Sequence, residues 1–265
     1  MSAHAKLSPS GAHRWMACPG SVVLEAEFPD TSSVYADEGT AAHTLAGWCL
    51  DDKLDADVYR GGEIKVGERT FAIDDTMIDN VQDYVKLVRE YAASGTLLVE
   101  QKVPIGHLTG EAGATGTSDA VIVRGNELVV MDLKYGMGVK VDAANNPQLQ
   151  MYALGALEEF ELLGDFEYIT MVIHQPRLNH VSEWSVPVAV LHKFADEVRE
   201  RSGHVQLAQS LEFDSDPDLL PGFLSPGEKQ CKFCKAKATC PARSEEHTSE
   251  LQSHHDLVCR LLLEK

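Results

Sequence analysis

Two aspartates and a lysine stand at spacings that suit metal-assisted chemistry. Gly125-Asn126 separates two apolar stretches, 118–123 and 127–134, and reads as a tight hairpin turn. A symmetric turn there pairs Arg124 with Glu127, Val121 with Val130 and Asp119 with Asp132. Like charges directly opposite one another destabilise a sheet, and a divalent cation between them removes the conflict. Lys134 follows Asp132 by two residues and so points to the same face. The chemistry that fits is phosphodiester hydrolysis. Magnesium or manganese polarises a phosphoryl oxygen and turns bound water into hydroxide. Lys134 orients that water or stabilises developing charge, and the Leu133 carbonyl can add a ligand. The plainer alternative is a surface hairpin carrying two solvated aspartates.

A second constellation lies near the other end. Cys231, Cys234 and Cys240 form a C-x2-C-x5-C run, and Cys18 supplies a fourth thiol from the start of the chain. Four cysteines hold an iron–sulfur cluster or a structural zinc; free thiols in a loop are the alternative. Cys49, beside Trp48 on an apolar helix, reads as core. Lys229, Lys232, Lys235 and Lys237 surround the cysteines and make the densest basic patch of the chain. It can steer a DNA backbone or be a solvated loop.

These side chains need elements to hold them. Ser8-Pro9-Ser10 reads as a helix start, and a helix covers about 34–50. Residues 51–69 read as a loop with a short strand. Thr76 can cap a helix to about Ala93, with Ile78, Val81, Val85 and Val88 at helical spacing. A strand over 97–103 and a glycine-rich loop over 106–116 precede the hairpin. Asn146-Pro147 is a cap followed by a first-turn proline, starting a helix to about Leu163. Strands over 166–174 and 181–186, a helix over 188–210 and a Pro/Asp-rich linker over 213–227 complete the order. The expectation is a mixed α/β fold with a central sheet flanked by helices.

The bulk properties narrow the function. The 265 residues carry a net charge of −18, which excludes a protein that coats nucleic acid through its whole surface. It leaves room for an enzyme touching DNA through a local basic strip. No run of about 18 apolar residues suggests a membrane span, and no leader pattern stands at the start, so a cytoplasmic location is expected. Clustered cysteines in such a compartment suggest metal binding rather than disulfides. The segment 243–265, RSEEHTSELQSHHDLVCRLLLEK, back-translates to something like a common sequencing adapter. It is expected to be an artefact, with the natural C-terminus missing, so Cys259 is left out of the site.

A family resemblance joins these features. Gly116-Thr-Ser-Asp119 followed by Asp132-Leu-Lys134 resembles the signature of the PD-(D/E)XK nuclease superfamily. No proline precedes the first aspartate and Asp132 fills the D/E position, as in the RecB-like branch. Gly39-Thr-Ala-Ala-His43 resembles that branch's metal-binding histidine motif, and Gln148-Leu-Gln-Met-Tyr152 its Gln-x-x-x-Tyr helix motif. Spacing puts Gln148 and Tyr152 on one helix face. The cysteine pattern resembles the iron–sulfur staple of AddB and the CRISPR-associated exonucleases. The whole of 1–242 resembles a phage and prophage family called domain of unknown function 2800.

The resemblance implies a restriction-endonuclease-like core over about 34–187 in a single domain, 1–242. A segment over 225–242 would pack with the N-terminal helix. Its implied metal ligands are His43, Asp119, Asp132 and the Leu133 carbonyl, with Lys134, Gln148 and Tyr152 in the active site. It further implies a [4Fe-4S] cluster (zinc as alternative) on Cys18, Cys231, Cys234 and Cys240, and DNA as substrate. The expected activity is that of an exonuclease in phage recombination or DNA processing, working with phage recombination proteins in a bacterial host. An inactive nuclease-fold binding module and a zinc-stapled phage accessory protein are the alternatives.

Overall fold

The computed structural model describes residues 5–211 and 217–243. In chain order the elements are α1 (Ala12–Trp15), α2 (Ser21–Glu25), α3 (Val34–Asp51), β1 (Glu63–Val66), β2 (Arg69–Ala72) and α4 (Asp75–Ala92). They continue with β3 (Thr96–Pro104), α5 (Gly106–Thr109), β4 (Thr115–Arg124), β5 (Glu127–Leu133) and α6 (Pro147–Phe160). The last are β6 (Tyr168–Gln175), β7 (His180–Pro187) and α7 (Val188–Ser210). The chain forms two compact units. One comprises Met1–Ser10 and Asp30–Glu197, the other Gly11–Pro29 and Val198–Lys265, and α7 runs from the first into the second.

The first unit is built on a five-stranded sheet in the order β3-β4-β5-β6-β7. Strands β3, β4 and β5 are antiparallel neighbours, β5 and β6 are parallel, and β7 returns antiparallel to β6. The parallel step needs a crossover, which α6 provides. The turn at Gly125-Asn126 fixes the β4–β5 register as its symmetry predicts, with Arg124 opposite Glu127 and Val121 opposite Val130. Gly125 takes a φ of 56° there, a backbone state that glycine adopts without a Cβ penalty.

Both faces of the sheet are covered, which explains the near-continuous Val, Ile and Leu of β4 and β5. On one face Ala120, Ile122, Val129, Met131 and Leu133 pack with Leu45 and Cys49 of α3 and with Val81, Tyr84, Val85 and Val88 of α4. Helix α6 lies against β3, β4 and β5. Its approach to β3 depends on Gly155, where a Cβ would come within 2.7 Å of the Pro104 carbonyl oxygen.

Side-chain caps start the helices. Ser33 accepts the Ala36 N–H at 3.1 Å for α3, and Asn146 accepts the Leu149 N–H at 3.2 Å for α6, each worth ~1 kcal/mol. Helix α4 is capped by Asp74, which accepts the Met77 N–H at 2.8 Å. Thr76 is therefore not the cap but lies inside the first turn. Two loop expectations also change. Residues 51–72 contain a two-stranded hairpin, β1–β2, and the glycine-rich stretch contains the single turn α5.

In the second unit, α1 and α2 are tied to the late segment by polar links. Gly20 N–H donates to the Phe223 carbonyl at 2.9 Å, and Arg14 donates to the Phe233 carbonyl at 3.2 Å. Glu25 pairs with Arg14 at 2.9 Å and accepts the Lys235 N–H at 2.8 Å. Within the stretch expected to be a linker, Pro217–Phe223 forms 3-10 turns. The start of that linker and nearly all of the segment from Arg243 onward lie outside the described residues.

The first unit is of the mixed α/β class expected from the sequence, a central mixed sheet flanked by helices. No helix among the described residues is long and apolar enough to cross a membrane.

Candidate active site

Strand β4 delivers Asp119 one residue beyond the last β4–β5 pair, Ala120 with Met131. The ladder ends there. Instead of facing Asp132 across paired backbone, Asp119 uses Oδ2 to accept the Leu133 N–H at 2.7 Å. Its Oδ1 lies 2.9 Å from His43 Nδ1, on α3. A third group joins them. Glu100, on β3, belongs with His43 and Asp119 to a set whose ligand atoms all lie within 4.8 Å of one another. Glu100 was not singled out in the sequence. It adopts a φ of 47° in the middle of a strand, an uncommon state for a residue with a Cβ and of the kind found at functional sites. The β3–β4 ladder is paired at Val99 and Gln101 but not at Glu100.

The other half of the site is built on β5 and α6. Asp132 is almost fully buried. Gln148 donates from Nε2 to Asp132 Oδ1 at 2.9 Å and accepts at Oε1 from Lys134 Nζ at 2.8 Å. Lys134 Nζ also sits 2.9 Å from Asp132 Oδ2, an ion pair that holds the buried carboxylate from its other side. Gln148 further donates to Tyr152 Oη at 3.3 Å. The Tyr152 ring lies over Gly116, where a Cβ would come within 2.8 Å of it. That close approach is a physical reason for the glycine of Gly116-Thr-Ser-Asp119. Gln148 stands in the first turn of α6, whose N-terminal dipole favours negative charge.

The electrostatics follow from this crowding. Burial disfavours a charged His43 ring, but the charge and hydrogen bond of Asp119, with Asp132 behind it, outweigh that and raise its pKa to about 9. Burial and the Asp119 charge push Glu100 up to about 7, against the pull of His43. Burial raises Asp132, with Lys134 opposing and Asp119 adding to the rise. A proton on His43 thus neutralises the carboxylates. A divalent cation would do the same, and the imidazole of His43 with the carboxylates of Glu100 and Asp119 could hold one.

The cysteines meet in the second unit. Cys18, Cys231, Cys234 and Cys240 all line one pocket with Arg14, Ser21 and Leu224. Ser225 N–H donates to Cys18 Sγ and Gly227 N–H to Cys231 Sγ, both at 3.3 Å. Burial raises the Cys18 thiol against the N–H groups of Ser225 and Ser21, and burial brings Cys234 to about 11. Among the described residues no three of the sulfurs lie within 4.8 Å of one another. Thiolates about 2.3 Å from a tetrahedral zinc would be only about 3.8 Å apart. Cys49 is fully buried in the first unit's core. Lys229, Lys232, Lys235 and Lys237 are all exposed, with the Lys232 ammonium 5.4 Å from the Phe233 ring centroid. Cys259 lies outside the described residues.

A family model described as "Protein of unknown function (DUF2800)" matches residues 4–263. The chain belongs to the DUF2800 family. The match takes in the segment from Arg243 that was set aside above. Among solved structures, this DUF2800 chain is similar to SSO0001, at 15% identity over 84% of this chain and 95% of that one, with a TM-score of 0.28. It is also similar to LHK-Exo, solved in complex with dAMP, at 8% identity over 79% of this chain and 97% of that one, with a TM-score of 0.34.

Proposed function

We propose that this protein is a metal-dependent deoxyribonuclease. One observation carries the reading: an imidazole and two carboxylates crowd together beside a buried aspartate whose lysine is held by a glutamine. A solvated hairpin has no use for such a clamp.

His43, Glu100, Asp119 and Asp132 hold magnesium or manganese, with the Leu133 carbonyl as a further ligand. The bound cation supplies charge for the scissile phosphate and acidifies a water. Lys134 lies between Asp132 and Gln148, oriented to position the attacking water and to stabilise negative charge as it develops. Gln148 fixes both partners at once, and Tyr152 limits its movement. The nearby resemblance to RecB-like nucleases makes DNA the substrate and exonucleolytic processing in phage recombination, in a bacterial cytoplasm, the setting.

The cysteine pocket holds a [4Fe-4S] cluster in this reading. The meeting of all four thiols in one pocket, with backbone N–H groups aimed at two of them, supports a metal-bound cysteine set, and the family resemblance favours the cluster over zinc. Cys18, Cys231, Cys234 and Cys240 would supply its four thiolates.

Purified protein with magnesium or manganese is expected to degrade labelled linear DNA, and Asp132→Ala to abolish this while remaining folded. Wild-type inactivity on single-stranded, duplex and branched DNA would overturn the reading.

A further inference from the structure

In the second unit one buried side-chain hydroxyl, Ser21 Oγ, has no hydrogen-bond partner among the described residues. Ser21 is only 2% exposed. It begins α2, and its N–H donates to the Cys18 carbonyl at 2.9 Å. Ser21 lines the pocket in which Cys18, Cys231, Cys234 and Cys240 meet.

A buried hydroxyl without a partner is destabilising, and alanine would carry no such penalty. The other side chains of the pocket do not accept from it. Leu24, Leu224 and Pro226 are apolar, and the Arg14 and Lys237 cations can only donate. The Gln230 amide is held on the Ser225 carbonyl, to which it donates at 2.8 Å. What remains is sulfur. Backbone N–H groups already reach two of the thiols, from Ser225 to Cys18 and from Gly227 to Cys231, both at 3.3 Å. Donors converging on sulfur stabilise the negative charge of an iron–sulfur group. Four thiols, two such N–H groups and an unpartnered hydroxyl in one pocket fit a group of that kind. A cluster brings sulfides of its own among the cysteines, and these supply the acceptor that Ser21 lacks.

We propose that Ser21 is a positioning residue of the cysteine-held cluster, its hydroxyl donating to a cluster sulfur and favouring the reduced state. This rests on the iron–sulfur reading above. The reduced cluster carries one more negative charge, so the hydrogen bond is stronger there and raises the reduction potential.

Ser21→Ala separates this role from simple packing. In its metal-free form the full-length variant should melt at the wild-type temperature or above, because it loses no partner. Reconstituted anaerobically with iron and sulfide, it should be harder to reduce than wild type. At a fixed potential its ratio of reduced to oxidised cluster should be about five-fold lower, the factor expected for one net hydrogen bond. That factor corresponds to about 40 mV for a one-electron couple. Pulsed electron paramagnetic resonance of the reduced cluster should lose one exchangeable-proton coupling. A wild-type potential or an unchanged proton spectrum in the variant would overturn the proposal. A lower metal-free melting temperature would do so too, since the hydroxyl would then have a partner without the cluster. If the reconstituted wild-type chain takes up no iron and sulfide, the cluster reading fails and this inference falls with it.

Discussion

His43, Glu100, Asp119 and Asp132 come from α3, β3, β4 and β5, elements whose positions are set by sheet ladders and a shared apolar core. Cys18 lies between two helices of four and five residues, and Cys231, Cys234 and Cys240 lie in successive turns. The carboxylate site is organised before any ion arrives. Its strain is visible in the φ of Glu100. The cysteine pocket depends on a few backbone hydrogen bonds and one Arg14–Glu25 pair. On the proposed reading, the first site would use a fold to hold a metal and the second a metal group to hold a fold. Loss of metal should therefore cost activity at one and order at the other.

The largest effect should come from the first site. Asp119→Ala removes the acceptor for His43 and for the Leu133 N–H together, and should lower metal-dependent cleavage about 10³-fold. Circular dichroism should show the fold retained; general unfolding would erase the contrast with the cysteine pocket. Cys18→Ser should do the reverse. Iron and sulfide content should fall sharply and the melting temperature drop by roughly 5–10 °C, the shift expected from a loss of ~2–3 kcal/mol in a chain of this size. Manganese affinity at the carboxylate site should be unchanged.

Acidity offers a third distinction. His43 has its folded pKa raised to about 9, above the ordinary 6.5. In the metal-free protein its stabilisation is complete below pH 6.5 and is lost as the pH rises through 9. Metal binding runs the opposite way, because His43 must release its proton to become a ligand, and so must any protonated Glu100, whose pKa is about 7. Manganese affinity should rise across this range, with about one and a half protons released per ion near pH 7, one from His43 and half from Glu100. Calorimetry in buffers of different ionisation enthalpy measures that count, and a value of zero would remove His43 from the ligand set.

Smaller effects test the supports. Gly116→Ala places a Cβ against the Tyr152 ring and should destabilise by ~1–3 kcal/mol, measured by urea unfolding, with a reduced maximal rate because Gln148 loses its backing. Lys232→Ala, on the exposed patch, should change stability by less than ~0.5 kcal/mol. Any DNA affinity that it contributes should appear as a shallower salt dependence.

The part of the site nearest a tight turn was the most legible in the sequence. A two-residue turn at Gly125-Asn126 leaves one symmetric register, and that register puts Asp119 and Asp132 at the same end of adjacent strands. Asn146-Pro147 marked the start of α6 and with it the position of Gln148. Glu100 was not legible. The connection from β3 to β4 runs through α5 and a longer loop, so no turn fixes which β3 residue meets Asp119, and strand alternation gives no sign of a positive φ. The β1–β2 hairpin was hidden because its charged and short alternations resemble a loop.

In the proposed reading one divalent cation sits at the sheet end where β3, β4 and β5 converge. Anomalous diffraction from crystals soaked in manganese tests this most directly. A peak is predicted within ligand distance of Asp119, with His43, Glu100 or Asp132 as its further ligands. Saturating manganese with no peak there, in crystals that leave Asp119 accessible, would contradict it.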